Sequence, residues 1–597
     1  MKRTVSCLPL LLLAGCGRGG DPKMEAQAFL DAYGSEYQKL YYTSAQAEWR
    51  SNTHIVEGDT TNAYATRQAN EALAAFTGSA ENIGQARRLL GERERLTPLL
   101  VRQLERVLYL AADNPQTVAD LVKQRIRAET EQTEKLFGYE FRLGDKKVST
   151  NDIDEILHTS TDEAALRQAW EESKEVGSGL KDGLEKLQHL RNETVRPLGY
   201  SDYFAYQVSE YGMSTQEMRD LMLQLNREVR PLYQQLHTYA RYELAKRFGA
   251  HEVPDLLPAH WLPNRWGQDW TGMVTVEGLD LDGILKDKPR EWFPQQAERF
   301  YVSLGYPPLP QSFWEKSDLY PLPAAAEFKK NNHASAWHMN LEQDVRSLMS
   351  IAPNAEWYET THHEFGHIYY YIAYTNPAVP LLLREGANRA YHEAMGSLLG
   401  LAAMQKPFLA HLELLPADAQ VDETQQLLRE ALNYVVFIPW SAGVMTEFEH
   451  ALYAENLPKE QYNARWWELV RRYQGIQPPA PRGEEFCDAA SKTHINDDAA
   501  QYYDYAISNV LLFQLHDHIA RQILKQDPHA TNYFGSQEVG RFLDSIMRPG
   551  MSRDWREVLR ETTGQDLSAA ALVDYFAPLL SYLEQVNAGR KHTLPEL

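Results

Sequence analysis

At residues 361–367 the chain reads Thr-His-His-Glu-Phe-Gly-His, a spacing that suits hydrolytic metal chemistry. On a helix, His363 and His367 fall one turn apart on one face, where two neutral imidazoles can converge on one divalent ion. Glu364 would stand beside them as a base for water. A zinc site for hydrolysis also needs a third protein ligand and an open fourth position. Downstream lies Gly386-Ala387-Asn388-Arg389-Ala390-Tyr391-His392-Glu393. Gly386 and Asn388 are turn and cap residues, so a second helix starting there can carry Glu393 back toward the first. The expected ligands are therefore His363, His367 and Glu393. Five residues can match such a motif by accident, and a lone helix glutamate is usually solvated, so the surrounding chain must support the assignment.

The elements that would position these groups can be read in outline. The stretch 356–372 has no proline and one glycine, Gly366, whose small size suits a helix lying close to other backbone. The segment 253–340 is richer in Pro and Trp, and 332–339 is its best strand candidate. Apolar residues at three- and four-residue spacing predict helices over 25–50, 63–77, 83–112 and 114–137, and after the metal motif over 422–453, 499–526 and 567–586. Helix starts are expected at 149–152 and 161–163, and Ser214 with Glu217 fits a capping box before a helix running to Phe248. The fold class is mainly α, with a few short strands near the metal. One large domain around a deep cleft is expected, covered by the N-terminal helices; a separate N-terminal domain is the alternative.

The 597 residues carry a formal net charge of −22, from 60 basic and 82 acidic side chains. That balance argues against nucleic acid as a partner, since phosphate binding needs a basic surface. The acidity reads as solubility. The 33 tyrosines and 13 tryptophans belong to a folded chain. Residues 1–15 read as an export signal: Lys2 and Arg3, an apolar run too short to span a bilayer, then Leu13-Ala14-Gly15-Cys16. Residues 16–23 form a glycine-rich tether, and the folded domain is expected over 24–597. Once the signal is removed, Cys487 is the only cysteine besides Cys16, so no internal disulfide is expected.

His-His-Glu-Phe-Gly-His, followed by Gly-Ala-Asn and Tyr-His-Glu-Ala, with His333-Ala334-Ser335-Ala336-Trp337 upstream and Lys492-Thr493-His494-Ile495 downstream, resembles the angiotensin-converting enzyme family of peptidyl-dipeptidases. The ordered matches run from about Gln268 to Phe513. The resemblance implies a helical zincin fold and one Zn2+ per chain. It implies dipeptide release from oligopeptides with a free C-terminus, with Glu364 as base and acid and with Tyr505 and His494 as donors to the oxyanion. Lys492, Tyr502 and Gln268 match the family's clamp for the substrate carboxylate. Such a clamp must lie two extended residues from the metal, about 7 Å of backbone. His333 and Ala334 match the strand that pairs with substrate backbone. The Leu-Ala-Gly-Cys stretch resembles a bacterial lipoprotein box, which implies lipid on Cys16, an envelope location facing the periplasm and, with Gly17 next, the outer membrane.

Several positions depart from the family. Glu393 follows His367 by 26 residues, two more than in the animal enzymes. Ser397 stands where an aspartate usually supports a zinc histidine. Asp504, Val470 and Val208 stand where arginines hold an activating chloride, so chloride is expected not to be required. His362 and His392 are expected to face away from the ligands as buried histidines, and His516 and His518 to lie on a surface helix face. The competing readings are a zinc oligopeptidase cutting internal bonds, a carboxypeptidase removing one residue, and a non-catalytic peptide-binding lipoprotein.

Overall fold

The computed structural model describes residues 21–597 apart from Glu57, Gly278, Leu279, Ala324 and Ala417. The signal and Cys16 lie outside the described residues. Within them no helix is long and apolar enough to cross a membrane.

The centre of the molecule is a pair of helices, Ala355–Tyr374 and Arg389–Ala403. Each starts at an asparagine cap: the Asn354 side chain accepts from Trp357 N–H at 2.9 Å, and that of Asn388 from Tyr391 N–H at 3.0 Å. The two cross at glycines. A Cβ on Gly366 would stand 2.8 Å from Gly396 Cα, so only glycine allows this approach. A Cβ on Gly396 would stand 2.9 Å from three atoms of the His363 ring. The crossing thus fixes the distance between the helix that carries both histidines and the one that carries Glu393.

A third helix, Tyr503–His518, packs along Arg389–Ala403. The short helix Thr493–Asp497 precedes it. Expected as one helix, 422–453 instead widens into a π-helical segment, Pro439–Met445, between Glu423–Ile438 and Thr446–Tyr453. The extra residue per turn re-aims side chains there. Ser441 Oγ donates to the Tyr502 carbonyl at 2.6 Å, tying this segment to the start of the third helix.

The strand expected over 332–339 is shorter, Ser335–His338, and pairs antiparallel with Val345–Leu348 in the register Ser335↔Leu348 to His338↔Val345. Two further pairs, Phe141–Leu143 with Lys146–Val148 and Leu257–Pro258 with Ile476–Gln477, pack on the helices Glu163–Val195 and Thr215–Arg247. Strands are therefore not confined to the metal helices.

The N-terminal cover consists of Pro22–Thr53, Thr61–Thr77, Ala80–Leu90, Pro98–Ala112 and Ala119–Phe137. The helix expected over 83–112 is broken after Leu90. Gly91 ends the first piece, and Thr97 caps the second with Pro98 at its first position, where a missing N–H costs nothing. Leu30, Tyr33, Leu89 and Leu104 form a small core of their own, which Leu341 and Leu382 from the body enter. The cover is part of one large helical domain, not a separate unit. Beneath it lies a cavity of about 910 Å³ that reaches from Tyr41, Ala45 and Leu73 of the cover to His363, His367 and Glu393.

Cys487 is buried and free, and burial pushes its thiol up to about 12. His516 is not on a surface face as expected: it is fully buried, bonded to Tyr533 Oη at 2.6 Å and to the Pro528 carbonyl at 2.7 Å. The helix carrying it has core on nearly every side, which its sequence periodicity does not reveal.

Candidate active site

His363, His367 and Glu393 each present one ligand atom, and the three atoms lie within 4.8 Å of one another. The two Nε2 atoms are 3.1 Å apart, close to the edge of about 3.3 Å that a tetrahedral zinc with Zn–N near 2.05 Å requires. Glu393 Oε2 is 3.7 Å from His363 Nε2. Burial pushes the His363 imidazole down to about 4 and lowers that of His367. Both rings are thereby neutral, the form a metal needs.

Glu364 follows His363 on the same helix and is nearly buried. Its Oε2 has no hydrogen-bond partner. Burial, and then the Glu393 carboxylate, push its carboxyl up to about 8. An unpaired buried carboxyl beside three convergent ligands fits a group that supplies positive charge and a water: a divalent cation next to it would favour the carboxylate. The residues present therefore fit zinc.

The partners behind the ligands are weaker than a carboxylate. Ser397 Oγ is 3.5 Å from His363 Nδ1, at the limit of a hydrogen bond. His392 does not face away as expected: its Nδ1 stands 3.2 Å from His367 Nδ1, because its helix crosses close enough to bring the ring against the ligand. His362 does face away, fully buried, with Nδ1 on the Tyr358 carbonyl at 2.8 Å.

Tyr505 and His494 come together, with Oη 3.4 Å from His494 Nε2. Burial pushes the phenol up to about 12 and the imidazole down to about 3. The tyrosine keeps its proton and the histidine is neutral. Tyr505 lines the cavity with the three ligands.

Lys492, Tyr502 and Gln268 also meet. Lys492 Nζ donates to Gln268 Oε1 at 3.0 Å, and Tyr502 Oη to the same oxygen at 3.4 Å. Only 5% of Lys492 is exposed, and no carboxylate forms an ion pair with it among the described residues. Its ammonium rests 4.3 Å from the Trp266 ring centroid, and burial pushes it down to about 7. A buried amine held by an amide and aromatic faces lacks the anion that would stabilise its charge. His333 and Ala334 lie just before Ser335–His338 and line the cavity from that side.

Val208 and Val470 are buried apolar residues. Asp504 is buried too: Oδ1 accepts from Tyr211 Oη at 2.6 Å, and Oδ2 is 3.4 Å from Arg389 Nε. Sequence reasoning missed Trp266, His392 and Arg389 as neighbours of the site. Arg389 carried a usable signal, since it precedes Glu393 by one helical turn and shares its face.

A sequence model described as Angiotensin-converting enzyme matches residues 21–594. This chain belongs to the angiotensin-converting enzyme family. An angiotensin-converting enzyme of Theromyzon tessulatum is 28% identical over 94% of this chain and 92% of its own length. One from Rattus norvegicus is 30% identical over 94% of this chain but 43% of its own, so the chain spans less than half of that relative. An angiotensin-converting enzyme-like protein of Mus musculus is 33% identical over 74% of this chain and 61% of its own. Membership makes the protein a zinc metallopeptidase, and the cluster of His363, His367 and Glu393 is where its ligand set can form.

Proposed function

We propose that this metallopeptidase releases dipeptides from the free C-terminus of oligopeptides. The observation that carries the reading is the buried, unpaired ammonium of Lys492, held with Gln268 and Tyr502. A cation kept out of water without an anion is the complement of a substrate carboxylate. A cut at internal bonds would have no use for it. Lys492 and Gln268 match the family's dipeptide-releasing clamp, which favours dipeptide release over removal of a single residue.

His363, His367 and Glu393 would hold zinc, which when bound polarises a carbonyl and makes water acidic. Glu364 then takes a proton from the attacking water and passes it to the leaving amine; its unpartnered Oε2 is free for that exchange. Tyr505, which lines the cavity, and His494 beside it would donate to the oxygen on which negative charge develops. For His494 this requires the tautomer with hydrogen on Nε2. The free edge of Ser335–His338, extended by Ala334 and His333, orients the peptide backbone. A peptide-binding protein without turnover would need neither Glu364 nor the Tyr505–His494 pair.

Chloride has no role in this reading. Where an anion would sit, the Asp504 carboxyl, which burial pushes up to about 8, fills the space beside Arg389, and buried valines replace cations. We place the protein at the bacterial envelope, on the sequence of its first 16 residues and lipid on Cys16. Loss of membrane attachment in Cys16→Ser tests that placement.

Mass spectrometry of products from a defined nonapeptide tests the activity. Successive loss of dipeptides from the free-acid form and far slower loss from the C-terminal amide is expected; equal cutting of both overturns the reading.

A further inference from the structure

We propose that Arg389 is a positioning residue for Tyr505: its guanidinium, anchored by Asp498 and flanked by Asp504, donates to the phenol oxygen and so commits the O–H to the cleft. The proposal rests on the reading of Tyr505 given above. It adds a residue that the motifs do not include.

Arg389 Nη2 donates to Tyr505 Oη at 3.1 Å. The guanidinium cannot swing away freely. Nη1 donates to Asp498 Oδ1 at 2.8 Å, and Nε lies 3.4 Å from Asp504 Oδ2. Asp504 is itself fixed by Tyr211 Oη at 2.6 Å. The guanidinium carbon also sits 5.6 Å from the Tyr505 ring centroid. Asp498 therefore holds one planar cation against one phenol, with the Asp504 carboxyl packed beside it.

A phenol has a single O–H and acceptor lone pairs. Arg389 has no acceptor and always carries its charge, so in this contact Tyr505 can only accept. The O–H must then point elsewhere. His494 Nε2, in the tautomer that carries hydrogen there, cannot accept it, which leaves the cavity lined by Tyr505, Arg389 and the metal ligands. The proton is thereby turned away from Arg389. A charged donor on the oxygen also polarises the O–H, making it a stronger donor to a developing oxyanion. Arg389 precedes Glu393 by one turn of a single helix, so a metal ligand and the anchor of Tyr505 move as one rigid piece.

The test uses the full chain with Arg389→Gln and Arg389→Lys, each alone and combined with Tyr505→Phe. On an N-blocked tripeptide, Arg389→Gln should lower kcat about tenfold to a hundredfold with KM within about twofold, a loss no larger than that of a whole oxyanion donor. Arg389→Lys should recover part of it. In the Tyr505→Phe background the same substitution should change kcat by less than about twofold. An equal fall in both backgrounds overturns the proposal, because a general structural effect would not depend on the phenol oxygen. A second measurement needs no turnover. In protein labelled with [13Cζ]tyrosine, the resonance absent from Tyr505→Phe should move in Arg389→Gln. An unmoved resonance overturns the proposal even if the enzyme is active. A shifted resonance in a chain that cleaves no peptide would uphold the contact while the reading of the reaction fails.

Discussion

Lys492 Nζ donates to Gln268 Oε1 at 3.0 Å across 224 residues of chain. The amide oxygen stabilises the ammonium without neutralising it, and the Trp266 face does the same from beside it. Two groups that share no local sequence signal thus make one half-satisfied anion site. In the proposed function a substrate carboxylate completes it.

Lys492→Ala should therefore act on the peptide terminus and not on the chemistry. We expect kcat/KM for a free-acid peptide to fall by about 30-fold or more, as removing one partner of a buried charge pair costs about 2–5 kcal/mol. The C-terminal amide should be little changed, so discrimination between the two disappears. An equal loss on both peptides would remove Lys492 from the clamp.

The same lysine sets a pH dependence. Burial lowers its free-state pKa to about 7, so the ammonium that captures a carboxylate is present below that pH and lost above it. kcat/KM for free-acid peptides should decline as pH rises through about 7, with a limb that is absent in Lys492→Ala. A profile with the same limb in the variant would assign it to another group.

Glu364→Gln should lower kcat by about 10²- to 10⁴-fold, the usual weight of a positioned general base. Zinc content by elemental analysis should stay at one per chain, because Glu364 is outside the ligand cluster. Activity retained by this variant would assign the base elsewhere.

Ser397→Asp should tighten metal binding. Ser397 Oγ reaches His363 Nδ1 only at 3.5 Å, and a carboxylate there would accept a firm hydrogen bond and fix the ring. Metal loss to a chelator should slow by about tenfold, within the 10- to 100-fold weight of such partners. Faster loss would show that His363 needs no carboxylate behind it.

Turnover should stay within about twofold between chloride-free buffer and about 0.15 M chloride. Asp498 pairs with Arg389 at 2.8 Å and the Asp504 carboxyl stands 3.4 Å from its Nε, leaving Arg389 no free charge for a halide. A steep rise with chloride would refute this.

Chain and fold carry two kinds of information. The histidine pair and the Asn388 cap were legible because they are local: His363 and His367 are one helical turn apart, and Asn388 bonds within the first turn of the helix that carries Glu393. The break between Leu90 and Pro98 was missed because the apolar spacing continues through it. The buried state of His516 was missed because its helix is surrounded by core.

By itself the sequence determined which side chains could bind a metal, move a proton or hold a carboxylate, since those capacities belong to residue types and to spacing within one helix. Tertiary structure alone decided that Gly396 leaves room for the His363 ring, that His392 backs His367, and that Arg389 reaches Tyr505. Each of these is a contact between elements far apart in the chain. A distance of about 3 Å between such elements depends on how whole helices cross, which no local pattern of residues encodes.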